Sequence, residues 1–164
     1  MQEYPTRRQF LSTTASALAA TAFSCPLLAA EQKGGQKVVF RAGAAKADIT
    51  PESGVSLDGY LMKQGPVKGV HDPLHARALV LDDGTTRLAI VICDACVIGR
   101  DVYDAAKAIV HAATGLPTNR MLMAATHTHA AIRATRINTG PLDDEYLDFL
   151  ARQIAAAVIQ AEKN

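Results

Sequence analysis

The sequence predicts an α/β fold in which helices cover a mixed sheet. Three observations predict it. Two apolar, β-branched runs flank an Asp-Gly turn; an apolar face of helical period follows; then a third apolar run precedes a second helical stripe. Strand pair, helix, strand, helix is the order of a layered α/β unit.

The first 30 residues are set apart as a leader before any fold is read. Residues 1–10 are short and basic, with Arg7 and Arg8 adjacent, and residues 11–28 carry no charge. Ala29 and Ala30 then supply the small residues that a signal peptidase accepts. The run Thr6-Arg7-Arg8-Gln9-Phe10-Leu11 matches the twin-arginine pattern. The expectation is a twin-arginine signal peptide over 1–30 and a protein exported by that route, periplasmic or secreted. An uncleaved anchor is the plain alternative. The stretch approaches the roughly 18 residues that spanning needs, but hydroxyls crowd it and Pro26 breaks it. Lipidation at Cys25 is a third reading, against which stands the lack of an aliphatic residue three positions earlier.

Without Arg7, Arg8 and Glu3, the 17 basic and 16 acidic residues become 15 of each. Such a balance gives no electrostatic basis for binding nucleic acid or an anionic membrane, and no basic run or aromatic platform supplies another.

Residues 31–41 read as a linker and first strand, with an extended run at 38–42 and a weakly alternating one at 44–50 that ends at Pro51. The glycines and prolines of 51–69 predict a long loop. Residues 74–81 and 87–94 read as strands joined by Asp82-Asp83-Gly84-Thr85, a hairpin signal. Over 101–113, Val102, Ala105, Ala106, Ile109, Val110 and Ala113 make one helical face, closed by Gly115 and Pro117. Residues 120–125 form a third strand, 130–141 are irregular, and 142–161 read as a second amphipathic helix. The strand 88–94, helix 101–113 and strand 120–125 suggest a crossover unit with a parallel pair.

In such sheets ligands gather beyond the carboxyl ends of the strands, where Asp94 and His127 both fall. His127 and His129 are two apart, so an extended backbone would point both the same way, toward one pocket. Imidazole is a good zinc ligand, though short His-x-His runs also occur as ordinary hydrogen-bonded histidines. Asp94 interrupts an apolar strand and must be paired, metal-bound or near water. His71, Asp72 and His75 form a second cluster, read as a turn in which Asp72 caps the strand start and the histidines are structural. His111 reads as a surface residue on a helix. Cys93 and Cys96 sit in an apolar run rather than at a helix start, so they read as core cysteines rather than a redox or metal pair.

Four stretches together resemble the neutral/alkaline, non-lysosomal ceramidase family. They are Ala42-Gly43-Ala44-Ala45-Lys46-Ala47-Asp48-Ile49-Thr50-Pro51, the run from Gly69-Val70-His71-Asp72-Pro73 through Leu74-His75-Ala76-Arg77-Ala78-Leu79-Val80-Leu81, residues 87–94, and Thr126-His127-Thr128-His129. The resemblance implies a zinc-dependent amidohydrolase that cuts the N-acyl bond of ceramide, or of a similar N-acyl lipid, into sphingosine and fatty acid. It implies that His127 is a ligand of Zn2+ and that His129 lies beside the substrate; Asp94 is a further candidate catalytic residue by its place at the strand end, not by the resemblance. It also implies that residues 42–164 are an incomplete piece of a larger catalytic domain, because the family's second His, its Glu and its Tyr fall beyond position 164. A partner chain supplying the missing part is then expected for activity. The sequence departs from the family after the motif, where Ala130-Ala131-Ile132-Arg133-Ala134 stands in place of a Pro/Gly-rich turn. A short, non-catalytic exported domain that uses part of the fold for binding or assembly is the reading from another class. A relative acting on a different amide or ester is a third.

Overall fold

Alternation of buried and exposed residues along the strands sets the architecture. In the computed structural model, residues 39–52, 57, 67–131, 134–135 and 144–164 are described. The leader expected over 1–30, most of the 51–69 loop and most of the 130–141 segment lie outside them. The elements are β1 (Arg41–Asp48), β2 (His75–Asp82), β3 (Arg87–Cys93), α1 (Arg100–Thr114), a 3-10 turn (Thr118–Arg120), β4 (Met121–Ala125) and α2 (Asp144–Ala161). They form one four-stranded sheet in the order β1-β2-β3-β4. The first two pairings are antiparallel and β3 pairs β4 in parallel, so the sheet is mixed as predicted.

Ala76, Ala78 and Val80 of β2 and Ala89, Val91 and Cys93 of β3 are buried on one face. α2 packs over β1 and β2 there, and α1 packs against α2. Leu150 and Ile154 are fully buried in α2, as is Val110 in α1. Each such side chain contributes about 1.5–3 kcal/mol by leaving water. Among the described residues the other face is sparsely covered. Leu79, Leu88 and Ile92 are each 37% exposed and Leu122 is 62% exposed.

The hairpin turn is as the Asp-Gly signal predicts. Gly84 takes φ 84°, which a side chain would resist. Asp82 accepts a bond from the Gly84 N–H at 2.7 Å, and Asp83 accepts from Thr85 and Thr86 at 2.9 and 2.7 Å. These amide donors, foremost Gly84 for Asp82 and Thr86 for Asp83, hold both carboxyls below the ordinary carboxylate value. Gly115 closes α1 in the left-handed conformation (φ 72°), its N–H donating to the His111 carbonyl at 2.9 Å.

Two sequence readings change. The separate runs 38–42 and 44–50 are one strand that passes through Gly43. A Cβ on Gly43 would overlap the Ala161 carbonyl, so the end of α2 lies directly on the backbone here. That contact explains why the strand carries only small residues at this point. The expected strand 87–94 ends at Cys93, and residues 94–96 form a bend. The apolar strand that carries Cys93 therefore ends before Cys96.

Candidate metal centre

β3 and β4 end level with each other, Cys93 paired with Ala125. The ladder persists one step further, where the Thr126 N–H donates to the Cys93 carbonyl at 2.9 Å. Beyond it, Ile98 bridges Ala134 in parallel, and the Gly99 N–H donates to the Ala134 carbonyl at 2.7 Å. Thus the chain leaving β3 and the chain leaving β4 stay side by side past the carboxyl ends of the parallel pair. This rim is where ligands gather in open α/β sheets.

His127 sits on the rim with φ 63°, the one described residue other than glycine with positive φ. An imidazole-bearing residue held there costs roughly 1–3 kcal/mol unless its surroundings fix it. The Cys96 backbone does so, its carbonyl lying 3.0 Å from His127 Nδ1. A carbonyl only accepts, so Nδ1 carries the proton in this contact and the lone pair is left on Nε2. Metal-ligating histidines are commonly set in this way, with the far nitrogen anchored to a carbonyl. The Cys96 thiol also approaches the same nitrogen, with Sγ 3.7 Å away.

The His129 ring meets the His127 ring edge to face, with centroids 5.1 Å apart and planes at 79°. Cys96, His127 and His129 each offer one donor atom, and all three atoms lie within 4.8 Å of one another. Cys96 is buried at 4% exposure, while both histidines are exposed. In a tetrahedral zinc site, bonds of about 2.0–2.3 Å place donors roughly 3.3–3.8 Å apart, a spacing close to the 4.8 Å limit that bounds this cluster. A mixed sulfur and imidazole donor set suits zinc, and these residues fit that ion.

The expected meeting of His127 and His129 is present, but not through an extended backbone. β4 stops at Ala125, and the left-handed turn at His127 brings the rings together. Asp94 lies at the end of β3, where Arg77 Nη1 donates to both its oxygens, at 2.8 and 2.7 Å. One of those oxygens also accepts the His75 N–H at 3.0 Å. Its carboxylate thus ties the end of β3 to β2. His71 pairs with Asp72 at 2.8 Å, both side chains being almost fully exposed. His75 begins β2, and its Nδ1 is buried without a protein partner among the described residues. His111 is exposed, and its Nδ1 lies 3.0 Å from the Leu116 carbonyl beyond the helix end.

Cys93 matches the core reading. It is fully buried, and burial, with Asp94 nearby, pushes its thiol up to about 12. Cys96 is the residue that the sequence reading missed.

The profile described as "Neutral/alkaline non-lysosomal ceramidase, N-terminal" matches residues 40–158. Among solved structures, a neutral ceramidase from Pseudomonas aeruginosa is similar in fold, with TM-score 0.65 and 24% identity over 79% of this chain and 22% of that one. A structure described as ceramidase complexed with C2 has the same TM-score and identity over 77% of this chain and 22% of its own. The chain thus spans about a fifth of the length of these structures. No curated protein matches the sequence.

Proposed function

Since the chain belongs to the neutral/alkaline non-lysosomal ceramidase family, we propose that it forms the N-terminal part of an exported, zinc-dependent amidohydrolase acting on ceramide or a similar N-acyl lipid. Residues 1–30 are its twin-arginine signal peptide and 42–164 its share of the catalytic domain, the product being periplasmic or secreted. The observation that carries the metal half of this reading is His127, held in a strained conformation with Nδ1 anchored to the Cys96 carbonyl and Nε2 left to bind an ion.

His127 is the ligand, and His129, 5.1 Å away between ring centroids, is the neighbour that holds or moves a proton beside the scissile amide. When bound, zinc supplies Lewis acidity toward the amide carbonyl and a water whose proton is lost near neutral pH. Asp94, at the same rim, fixes the ends of β2 and β3 through Arg77 and the His75 backbone and so keeps the exit segments in register. It acts as a positioning residue. The remaining groups around the ion come from a further portion of the domain or a partner chain.

The test is release of sphingosine from ceramide, compared with cleavage of short acyl amides, by the chain alone and with a polypeptide carrying the complementary portion of a ceramidase domain. We expect release from ceramide only in the complemented sample, abolished by a chelator and by His127→Ala. Release indifferent to both treatments overturns the metal reading. Ceramide binding with no release in any sample supports instead a non-catalytic binding domain.

A further inference from the structure

The end of the sheet away from His127 carries a concentration of positive charge. Arg41 of β1, Asp82 of β2 and Arg87 of β3 stand directly opposite one another across three strands. Arg120 adds a third guanidinium, since it ends the 3-10 turn and immediately precedes β4. These four residues line one cavity of about 260 Å³ beside the hairpin turn. Its walls hold three cations and one carboxylate. Asp82 is already engaged, by Arg41 Nη2 and by the Gly84 N–H, each at 2.7 Å. Arg87 donates to Glu162, and to the Thr114 carbonyl at 3.1 Å. Arg120 has no side-chain partner among the described residues. A guanidinium carries five N–H donors and accepts nothing, so donors here outnumber acceptors. Basic and acidic residues nearly balance over the chain, 17 to 16, so the excess is local.

We propose that this cavity binds a tetrahedral oxyanion of the phosphate type, free or carried on a lipid headgroup. A planar carboxylate is matched by the fork of one guanidinium. Three guanidiniums around one cavity match instead an anion that presents oxygens on several sides. The volume suits an ion with bound water, since sites for drug-sized molecules run about 300–1,000 Å³. The Arg41 side chain is 71% exposed and that of Arg87 36%, so both are reachable from solvent. A bound anion would join the starts of β1 and β3 to the segment that enters β4, and so stabilise the folded chain. Arg87 and Cys93 are the two ends of β3, about 20 Å apart at roughly 3.3 Å per residue. The anion site therefore stands apart from the rim and does not depend on the metal reading.

The probe is inorganic phosphate added to the full chain, read by titration calorimetry and thermal melts against sodium chloride at equal ionic strength. Phosphate should bind at about one per chain and raise the melt, whereas chloride, which only screens, should do neither. Arg120→Gln should weaken phosphate binding by about 10-fold or more, the worth of one charge-assisted hydrogen bond. Its melt without phosphate should match the wild type, because Arg120 gives up no partner among the described residues. Asp82→Asn keeps an oxygen for the Gly84 N–H and removes a carboxylate charge from the cavity, so it should tighten binding. Vesicles of phosphatidic acid distinguish the source. Recruitment that free phosphate competes away assigns the headgroup; binding of free phosphate without recruitment assigns the ion, and both support the site. A phosphate effect no larger than that of chloride overturns the proposal, as does binding that Arg120→Gln leaves unchanged.

Discussion

Cys93 and Cys96 stand three residues apart and belong to different parts of the molecule. Cys93 ends a strand and points into the helix-covered core, where burial raises its thiol. Cys96 lies in the bend that follows and sits with two histidines at the rim. The core is built of regular backbone and aliphatic side chains with few alternatives. The rim begins where regularity ends, at Cys93 and Ala125, and carries the strained residue and the donor atoms. Core packing and the candidate metal donors therefore occupy adjoining residues, and substitutions should separate them.

The largest effect belongs to the core. Ile154→Ala or Leu150→Ala, both at fully buried positions of α2, should cost about 2–5 kcal/mol in denaturant melts. The fraction that stays folded should keep its metal. Loss of metal at unchanged stability would merge the two regions. Gly43→Val comes next, since any Cβ there meets the Ala161 carbonyl. It should destabilise by about 1–3 kcal/mol through overpacking, read in the same melts.

The rim should behave in the opposite way. His127→Ala and His127→Gly both remove the imidazole, and both should abolish metal binding. At φ 63°, the glycine variant should be more stable than the alanine variant by about 1 kcal/mol, because the left-handed region suits glycine. Equal melts would mean that the backbone relaxes out of this conformation and that the strain is not held by the rim.

Much of this division was legible in the sequence. The Asp-Gly hairpin, the α1 face and the apolar 120–125 run gave the antiparallel hairpin and the parallel pair, because period and turn chemistry are local signals. His127, His129 and Asp94 were legible as strand-end residues for the same reason. Cys96 was not, because a bend after Cys93 decides its direction, and no local signal marks where a strand gives way to a bend. The anchoring of His127 on the Cys96 carbonyl is a long-range contact between exit segments and has no local signature either. Gly43 looked like a break in the strand, yet it is the point where α2 approaches most closely.

Smaller effects sharpen the boundary. Tyr103 has a buried hydroxyl without a protein partner among the described residues. Tyr103→Phe should leave stability unchanged or raise it by up to about 1 kcal/mol, as removal of an unsatisfied buried group does. A clear loss would reveal a partner for that hydroxyl. The least effect is acid sensitivity of the turn. Asp48, held low by Thr50, and the hairpin pair Asp82 and Asp83 all have carboxyls below the ordinary 3.8. A lowered folded-state value gives stability that is present above pH 3.8 and is lost as pH falls through the folded value. A small loss below that pH, reduced in Asp83→Asn, is expected in pH-dependent melts.

The central claim is that residue 127 grips a divalent cation, and zinc retained after exhaustive dialysis tests it most directly. Elemental analysis of the wild-type chain assembled with the complementary portion of the domain should find about one zinc per complex, and of the same assembly carrying His127→Ala almost none, since metal binding needs its deprotonated ligands in place. Equal zinc in the two proteins, or none in either, would contradict it.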